Sequence, residues 1–171
     1  MSSVIELARP EIRNLVPYSA ASYAEGLVRL NANETPWPAP GSDTDLNRYP
    51  PERPVELTAK LAGYYGVEAD EILVTRGSSE AIDLLIRGFC EAGKDGVVIC
   101  PTTFVMYRVH AAIQGAVVHE IPLREAHGHA LDAAEIALSW PADAHGACLS
   151  SPNNSTGNAS HPDKHHLLTT L

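Results

Sequence analysis

Two short runs hold the residues best suited to grip a small anionic molecule. Gly77-Ser78-Ser79 lies between a β-rich run and a periodic apolar segment, where a helix would open. The first backbone N–H groups of a helix have no intrahelical partner, and the helix dipole favours negative charge there. Two hydroxyls at the same spot add donors, so the turn suits a phosphate. It equally suits an ordinary serine cap. Ser151-Pro152-Asn153-Asn154-Ser155-Thr156-Gly157 follows another apolar run. In open α/β sheets, ligands bind beyond the carboxyl ends of strands, and a side-chain amide there can donate to an anionic oxygen. Asn and Gly also favour turns for local reasons alone.

Other chemistries find little support. The histidine clusters are His127-Gly128-His129 and His161 with His165-His166. Neither has zinc-motif spacing and no cysteine lies beside them, so no metal centre is expected. The sequence has no G-x-S-x-G, no Walker A run and no glycine-rich dinucleotide fingerprint. Net charge is −9, which argues against a nucleic-acid surface. No apolar stretch approaches the length of a membrane span, and Met1 to Pro10 lacks the apolar core of a secretory signal. Cys90, Cys100 and Cys148 each sit in an apolar stretch, which predicts buried free thiols in a reducing cytoplasm.

The elements that would position the two runs follow from periodicity. Residues 1–51 hold seven of the thirteen prolines and read as an irregular, extended arm. Residues 52–171 read as alternating helices and strands. Val55, Leu57, Leu61, Tyr64 and Tyr65 recur at near-helical spacing before Gly66. Glu71 to Thr75 is a short β-rich run. A helix opens at Gly77, with Ile82, Leu85, Ile86 and Phe89 on one face and Gly93 as its stop. Gly96 to Cys100 is a strand buried on both faces. Thr103 to Ile113 is a helix with Met106, Val109, Ala112 and Ile113 facing inward. Ala116 to Leu123 is a strand, Leu131 to Leu138 a short helix and Gly146 to Ser150 a strand. A last helix begins at residue 162 and runs to 171. The alternation predicts an α/β fold with a mostly parallel sheet.

The order and spacing of several motifs carry a family resemblance. Leu30-Asn31-Ala32-Asn33-Glu34-Thr35-Pro36 precedes Asn47-Arg48-Tyr49-Pro50. Arg76-Gly77-Ser78-Ser79-Glu80-Ala81-Ile82-Asp83-Leu84-Leu85-Ile86-Arg87 follows, then Cys100-Pro101-Thr102-Thr103-Phe104-Val105-Met106-Tyr107. With the Asn153-Asn154 loop, the series resembles the histidinol-phosphate aminotransferases, which are fold-type I pyridoxal-phosphate enzymes. The likeness runs from about Arg9 onward. It implies a partial aminotransferase large domain over 52–171, preceded by an arm over 1–51 that contributes to the small domain and the dimer.

The resemblance also implies roles. Gly77, Ser78 and Ser79 would hold the cofactor phosphate. Phe104 would stack on the pyridine ring and Asn154 would hydrogen-bond its phenolic oxygen. Tyr49 would reach across a homodimer to the partner's cofactor phosphate. Tyr18 and the arm from Asn31 through Asn33 to Glu34 would lie near the substrate. The implied substrates are histidinol phosphate and glutamate or 2-oxoglutarate, exchanged in the cytoplasm without nucleic acid or membrane. Three positions depart from the family pattern: Ser155 replaces a proline, Ser79 an aspartate, and Phe104 a tyrosine. The lost proline costs about 0.4–1 kcal/mol of rigidity.

The family's chains are much longer than this one. The lysine that ties the cofactor covalently, the aspartate facing the ring nitrogen, and the arginines for phosphate and carboxylate match nothing here. Lys60, Lys94 and Lys164 stand elsewhere. The expectation is a chain without turnover of its own, since transamination needs that lysine as anchor and proton carrier. A non-catalytic remnant that binds cofactor weakly or pairs with an intact subunit is the alternative. A threonine-phosphate decarboxylase-like enzyme, which shares the fold and cofactor, is a further alternative. The resemblance also places Ile72 to Thr75 beside strands from the absent half, leaving that run without a neighbour and the last strand with an open edge.

Overall fold

Gly96–Ile99 is an unbroken apolar run, and it forms the fully buried central strand β1. The structure is a computed structural model that describes residues 4–18, 26–42, 44 and 46–168. β1 pairs in parallel with β2 (Val117–Glu120) on one side and β3 (Ala144–Cys148) on the other, in the order β2-β1-β3. Val97 lies opposite Val118 and Gly146, and Ile99 opposite Glu120 and Cys148. Parallel neighbours need crossovers. α4 (Met106–Gln114) lies between β1 and β2, and α5 (Ala133–Leu138) between β2 and β3. α3 (Ser78–Phe89) precedes β1 and α6 (Pro162–Leu168) follows β3. This is the expected α/β class with a parallel sheet.

Two hydrophobic clusters sandwich the sheet. Ile86 and Cys90 meet Val97, Ala111 and Ala116 on the face covered by α3 and α4. Cys100, Leu131 and Ile136 pack on the other, with Ile121, Leu123 and Trp140 around them. Val97 and Cys100 differ in parity along the strand, so the clusters fall on opposite faces. Burial pushes the thiols of Cys90, Cys100 and Cys148 up to about 11, so all three are protonated at neutral pH. No disulfide joins them.

The chain divides into two compact units, Met1–Leu15 with Arg76–Leu171, and Val16–Thr75. In the first, the N-terminal segment is not wholly irregular: it forms a 3₁₀ turn at Val4–Leu7 and a short helix α1, Pro10–Arg13. Pro10 stands at the start of α1, where its missing N–H costs nothing. The segment docks through Arg9, whose amide donates to Gly88 O at 3.0 Å and whose Nη1 donates to Arg87 O at 2.9 Å. A guanidinium there satisfies carbonyls left open at the end of α3. The second unit holds α2 (Val55–Tyr65), stopped by left-handed Gly66, and a 3₁₀ turn at Ala69–Glu71 closed by a Glu68–Glu71 capping box.

Three expectations need correction. Glu71 to Thr75 forms no strand: Glu71 belongs to the 3₁₀ turn, and no described strand pairs with Ile72 to Thr75. β-rich residues alone cannot satisfy a strand's backbone groups without a partner ladder. α4 starts at Met106 rather than Thr103, and its inward face is Tyr107 and Ala111. Val109, Ala112 and Ile113, expected to face inward, are exposed. Both faces of this helix carry apolar residues, so periodicity alone could not say which one meets the sheet. Finally, β2 and β3 are shorter than or offset from their expected ranges, and residues 169–171 of the last helix lie outside the described residues. No helix among the described residues is long and apolar enough to cross a membrane.

Leu84 and Leu85 on α3, Val105 beside α4, and Ile113 on α4 leave apolar surface in water, and among the described residues β3 pairs with β1 alone. Such surface and such an edge favour association over a firm monomer. The chain alone is therefore expected to bind a hydrophobic dye and to melt over a broad temperature range, followed by circular dichroism. A sharp cooperative melt without dye binding would contradict this.

Candidate functional site

Because β1 and β3 are parallel neighbours, the loops that follow them leave the same edge of the sheet. One carries Phe104 and the other Asn154. A buried side chain ties them: Asn153 donates from Nδ2 to Thr102 O at 2.7 Å and to Thr156 Oγ1 at 2.9 Å. Its own backbone N–H donates to Asn158 O, and its carbonyl accepts from Gly157 N. The Asn153 residue is 6% exposed, whereas Asn154 is exposed. The doublet thus divides its work. The first amide fastens the loop and the second faces outward.

Phe104 is held from a second direction. Its ring meets Tyr107 edge-on, with centroids 5.8 Å apart and planes at 90°. Tyr107, on the buried side of α4, donates its hydroxyl to Leu149 O at 3.3 Å, just beyond β3. Desolvation raises the pKa of that phenol, so it keeps its proton and the bond.

Gly77 opens α3 with φ 77° and ψ 175°, a conformation that glycine alone adopts without strain. No side chain caps the helix there. The C-terminal end of α3 packs at the start of β1, where the Cys90 thiol points at Gly96 O at 3.7 Å. A helix of 12 residues laid along the sheet therefore has its N-terminus toward the sheet's carboxyl edge. Ser78 is exposed and Ser79 half-buried. Beside them Glu80 folds back, accepting from Arg76 N at 2.6 Å and from Arg76 Nη2 at 2.8 Å. The Arg76 guanidinium holds the Glu80 carboxyl below its usual range, so this helix end carries a paired rather than a bare negative charge.

The aminotransferase class I and II family model matches residues 27–171. The chain belongs to the class I and II aminotransferases. Relatives include a histidinol-phosphate aminotransferase from Aeromonas salmonicida, 43% identical over 165 residues, which covers 91% of this chain and 44% of the relative. One from Pectobacterium atrosepticum is 41% identical, covering 100% of this chain and 48% of the relative. The chain thus spans less than half the length of these curated relatives. Among solved structures, a mutant aspartate aminotransferase from Thermus thermophilus aligns with a TM-score of 0.62 at 25% identity, over 67% of this chain and 33% of that one. N-succinyldiaminopimelate aminotransferase from Mycobacterium tuberculosis aligns with a TM-score of 0.57 at 25% identity, over 67% of this chain and 30% of that one.

In this aminotransferase chain, Gly77, Ser78, Ser79, Phe104 and Asn154 all belong to the first unit, on segments that converge on one sheet edge. Tyr18, Asn31, Asn33 and Tyr49 belong to the second. There, Tyr18 lies in an irregular, exposed segment, Asn31 begins a turn that contains Asn33, and Tyr49 is about half exposed. Two residues that sequence reasoning did not single out matter most for geometry: Asn153 and Tyr107. A signal existed for the first in the Asn doublet, since two adjacent amides rarely face the same way. For Tyr107 the signal was its spacing of three from Phe104, one helical turn away.

Asn153→Ala should strand the Thr102 carbonyl and lower stability by about 1–3 kcal/mol. Asn154→Ala, at an exposed position, should stay within about 0.5 kcal/mol. Paired thermal midpoints by circular dichroism check this, and equal shifts would contradict the division of roles.

Proposed function

We propose that this chain carries the cofactor-ring and phosphate loops of a histidinol-phosphate transaminase, acting within a larger assembly on histidinol phosphate and 2-oxoglutarate. The observation that carries the reading is the glycine-opened N-terminal end of α3, with Ser78 and Ser79 in its first turn, and the Asn153-locked loops, together with the relatives' shared name. Pyridoxal phosphate fits this donor set. The N–H groups and hydroxyls at Gly77, Ser78 and Ser79 suit its phosphate. The Phe104 ring suits its flat face, and the outward Asn154 amide suits its phenolic oxygen. Once bound, the cofactor supplies an electron sink for bonds at the substrate's amino-bearing carbon.

The chain's own residues bind and orient. Phe104, braced by Tyr107, fixes the plane of the ring. Asn154 fixes its rotation, and the α3 end fixes its depth. Phenylalanine gives a stacking face without the hydroxyl of the tyrosine usual at this position in the family. Tyr49 reaches the partner's cofactor phosphate in a homodimer, and Tyr18, Asn31 and Asn33 lie toward the substrate. The arm, residues 1–51, serves the dimer and the small domain, and residues 52–171 belong to the large domain. The reaction takes place in the cytoplasm.

No lysine of these 171 residues suits the proton-carrying role. Lys60 lies on α2, Lys94 pairs with Glu91 at 2.9 Å, and Lys164 donates to Leu131 O at 2.7 Å. These residues by themselves are therefore expected to hold cofactor weakly without turning substrate over. Titration with pyridoxal phosphate and with pyridoxal separates the outcomes. Binding should depend on the phosphate, and Ser78→Ala with Ser79→Ala should weaken it by about tenfold, equivalent to roughly 1.4 kcal/mol. The chain alone should not convert histidinol phosphate. Equal affinity for pyridoxal would overturn the cradle, and turnover by these residues alone would overturn the expectation that they only bind and orient.

A further inference from the structure

The second unit contains a buried carboxylate whose partners come from both ends of the Arg29–Tyr49 segment. Glu34 has a side chain only 4% exposed. Its Oε1 accepts from Arg29 Nη2 at 2.5 Å and from the backbone N–H of Tyr49 at 2.7 Å. Its Oε2 accepts from Arg48 Nη1 at 3.3 Å. A buried carboxylate is costly unless paired and hydrogen-bonded, and here two guanidinium groups and one amide share it. The Tyr49 amide, then Arg29 and Arg48, hold its carboxyl below the usual carboxylate range against the pull of burial.

What the carboxylate holds is unusual backbone. Ala32 and Asn33 both have positive φ, 51° and 53°, and the Glu34 amide donates back to Asn31 O at 3.1 Å. Two successive left-handed residues closed by that bond form a type I′ turn. Asparagine tolerates this region, but alanine is disfavoured there by about 1–2 kcal/mol. The turn therefore needs an external restraint. Glu34 supplies it at the turn's last residue. The same carboxylate pins Tyr49 at its amide, while Arg29 Nη2 donates to Tyr49 O at 3.4 Å. Arg48 Nη2 also donates to Pro36 O at 3.4 Å, and Asn47 Nδ2 to Thr35 O at 2.9 Å. Tyr49 is thus held by both backbone groups while the residue stays 53% exposed.

We propose that Glu34 is a positioning residue: its carboxylate locks the strained Asn31–Glu34 turn to the backbone of Tyr49, presenting the Tyr49 ring and the Asn33 amide in a fixed relation. The functional value of that relation rests on the reading of Tyr49 as a cofactor-phosphate contact. The lock itself does not depend on it.

Amide hydrogen exchange in the full chain tests the lock. In Glu34→Gln the Tyr49 amide should exchange about tenfold faster or more, while amides of Val55–Tyr65 keep their rates. Glu34→Asp, which keeps the charge, should recover part of the protection. Wild-type protein gives an independent measure if a variant fails to fold. The Glu34 carboxyl is held below the usual carboxylate range, so Tyr49 protection should be full at neutral pH. It should be lost as pH falls through the lowered Glu34 pKa, below the ordinary carboxylate range. Unchanged Tyr49 exchange in Glu34→Gln, or a rise in step with Val55–Tyr65, overturns the proposal. The affinity ratio of pyridoxal phosphate to pyridoxal tests the positioning. Glu34→Gln should lower it as Tyr49→Phe does, and a preserved ratio with a loosened Tyr49 amide also overturns the proposal. A wild-type ratio near one would instead defeat the cofactor reading, leaving the exchange rates to decide on the lock.

Discussion

Parallel pairing of β1 with both of its neighbours is the constraint on which the first unit depends. A strand buried on two faces and hydrogen-bonded on two edges has no freedom of register. A slip by one residue would drive Val98 into the cluster built for Val97. With register fixed, the ends of β1 and β3 are fixed too, and so are the loops that leave them. The side chains of the site then need only short-range fastening. Asn153 and Tyr107 provide it, one from the loop and one from the helix that follows the other loop.

The electrostatics of the two units follow one pattern despite their different contents. In each, a glutamate folds onto a neighbouring backbone N–H and is neutralised by arginine: Glu80 by Arg76, Glu34 by Arg29 and Arg48. A carboxylate used in this way is a local staple, stronger than a neutral acceptor because its partners are charged. The exposed pair at Arg76 and Glu80 shapes a helix entrance and contributes little to stability. The enclosed one at Glu34 organises a loop that has no helix or strand of its own.

Much of this was legible in the sequence, for reasons that differ by residue. Gly96–Ile99 read as a buried strand because an apolar run bounded by Asp95 and a proline leaves few other choices. Gly66 and Gly115 marked helix ends because a left-handed terminal residue favours glycine. The Glu71 to Thr75 run has strand propensity, which reports fitness for a sheet and not the presence of a partner, and the family resemblance places its neighbours outside this chain. The inward face of α4 misled because Val109 and Ile113 are as apolar as Tyr107 and Ala111. Which side meets the sheet was set by packing against α3, a non-local fact. The Glu34 clasp was invisible for the same reason. Its residue types were plain, but only the fold brings Arg48 and Tyr49 back to the turn.

That clasp closes over short stretches of chain, with partners 5, 14 and 15 residues from Glu34. Loop closure on this scale carries a small entropic penalty and is completed quickly. The three partners of Glu34 lie at or before Tyr49 in the chain. During synthesis it can therefore assemble as soon as Tyr49 leaves the ribosome, well before the strands of the sheet exist. The parallel sheet, by contrast, must wait for β3, since each of its pairings spans a full crossover. The chain thus has an early-forming piece and a late-forming one, and the charged staple belongs to the early piece.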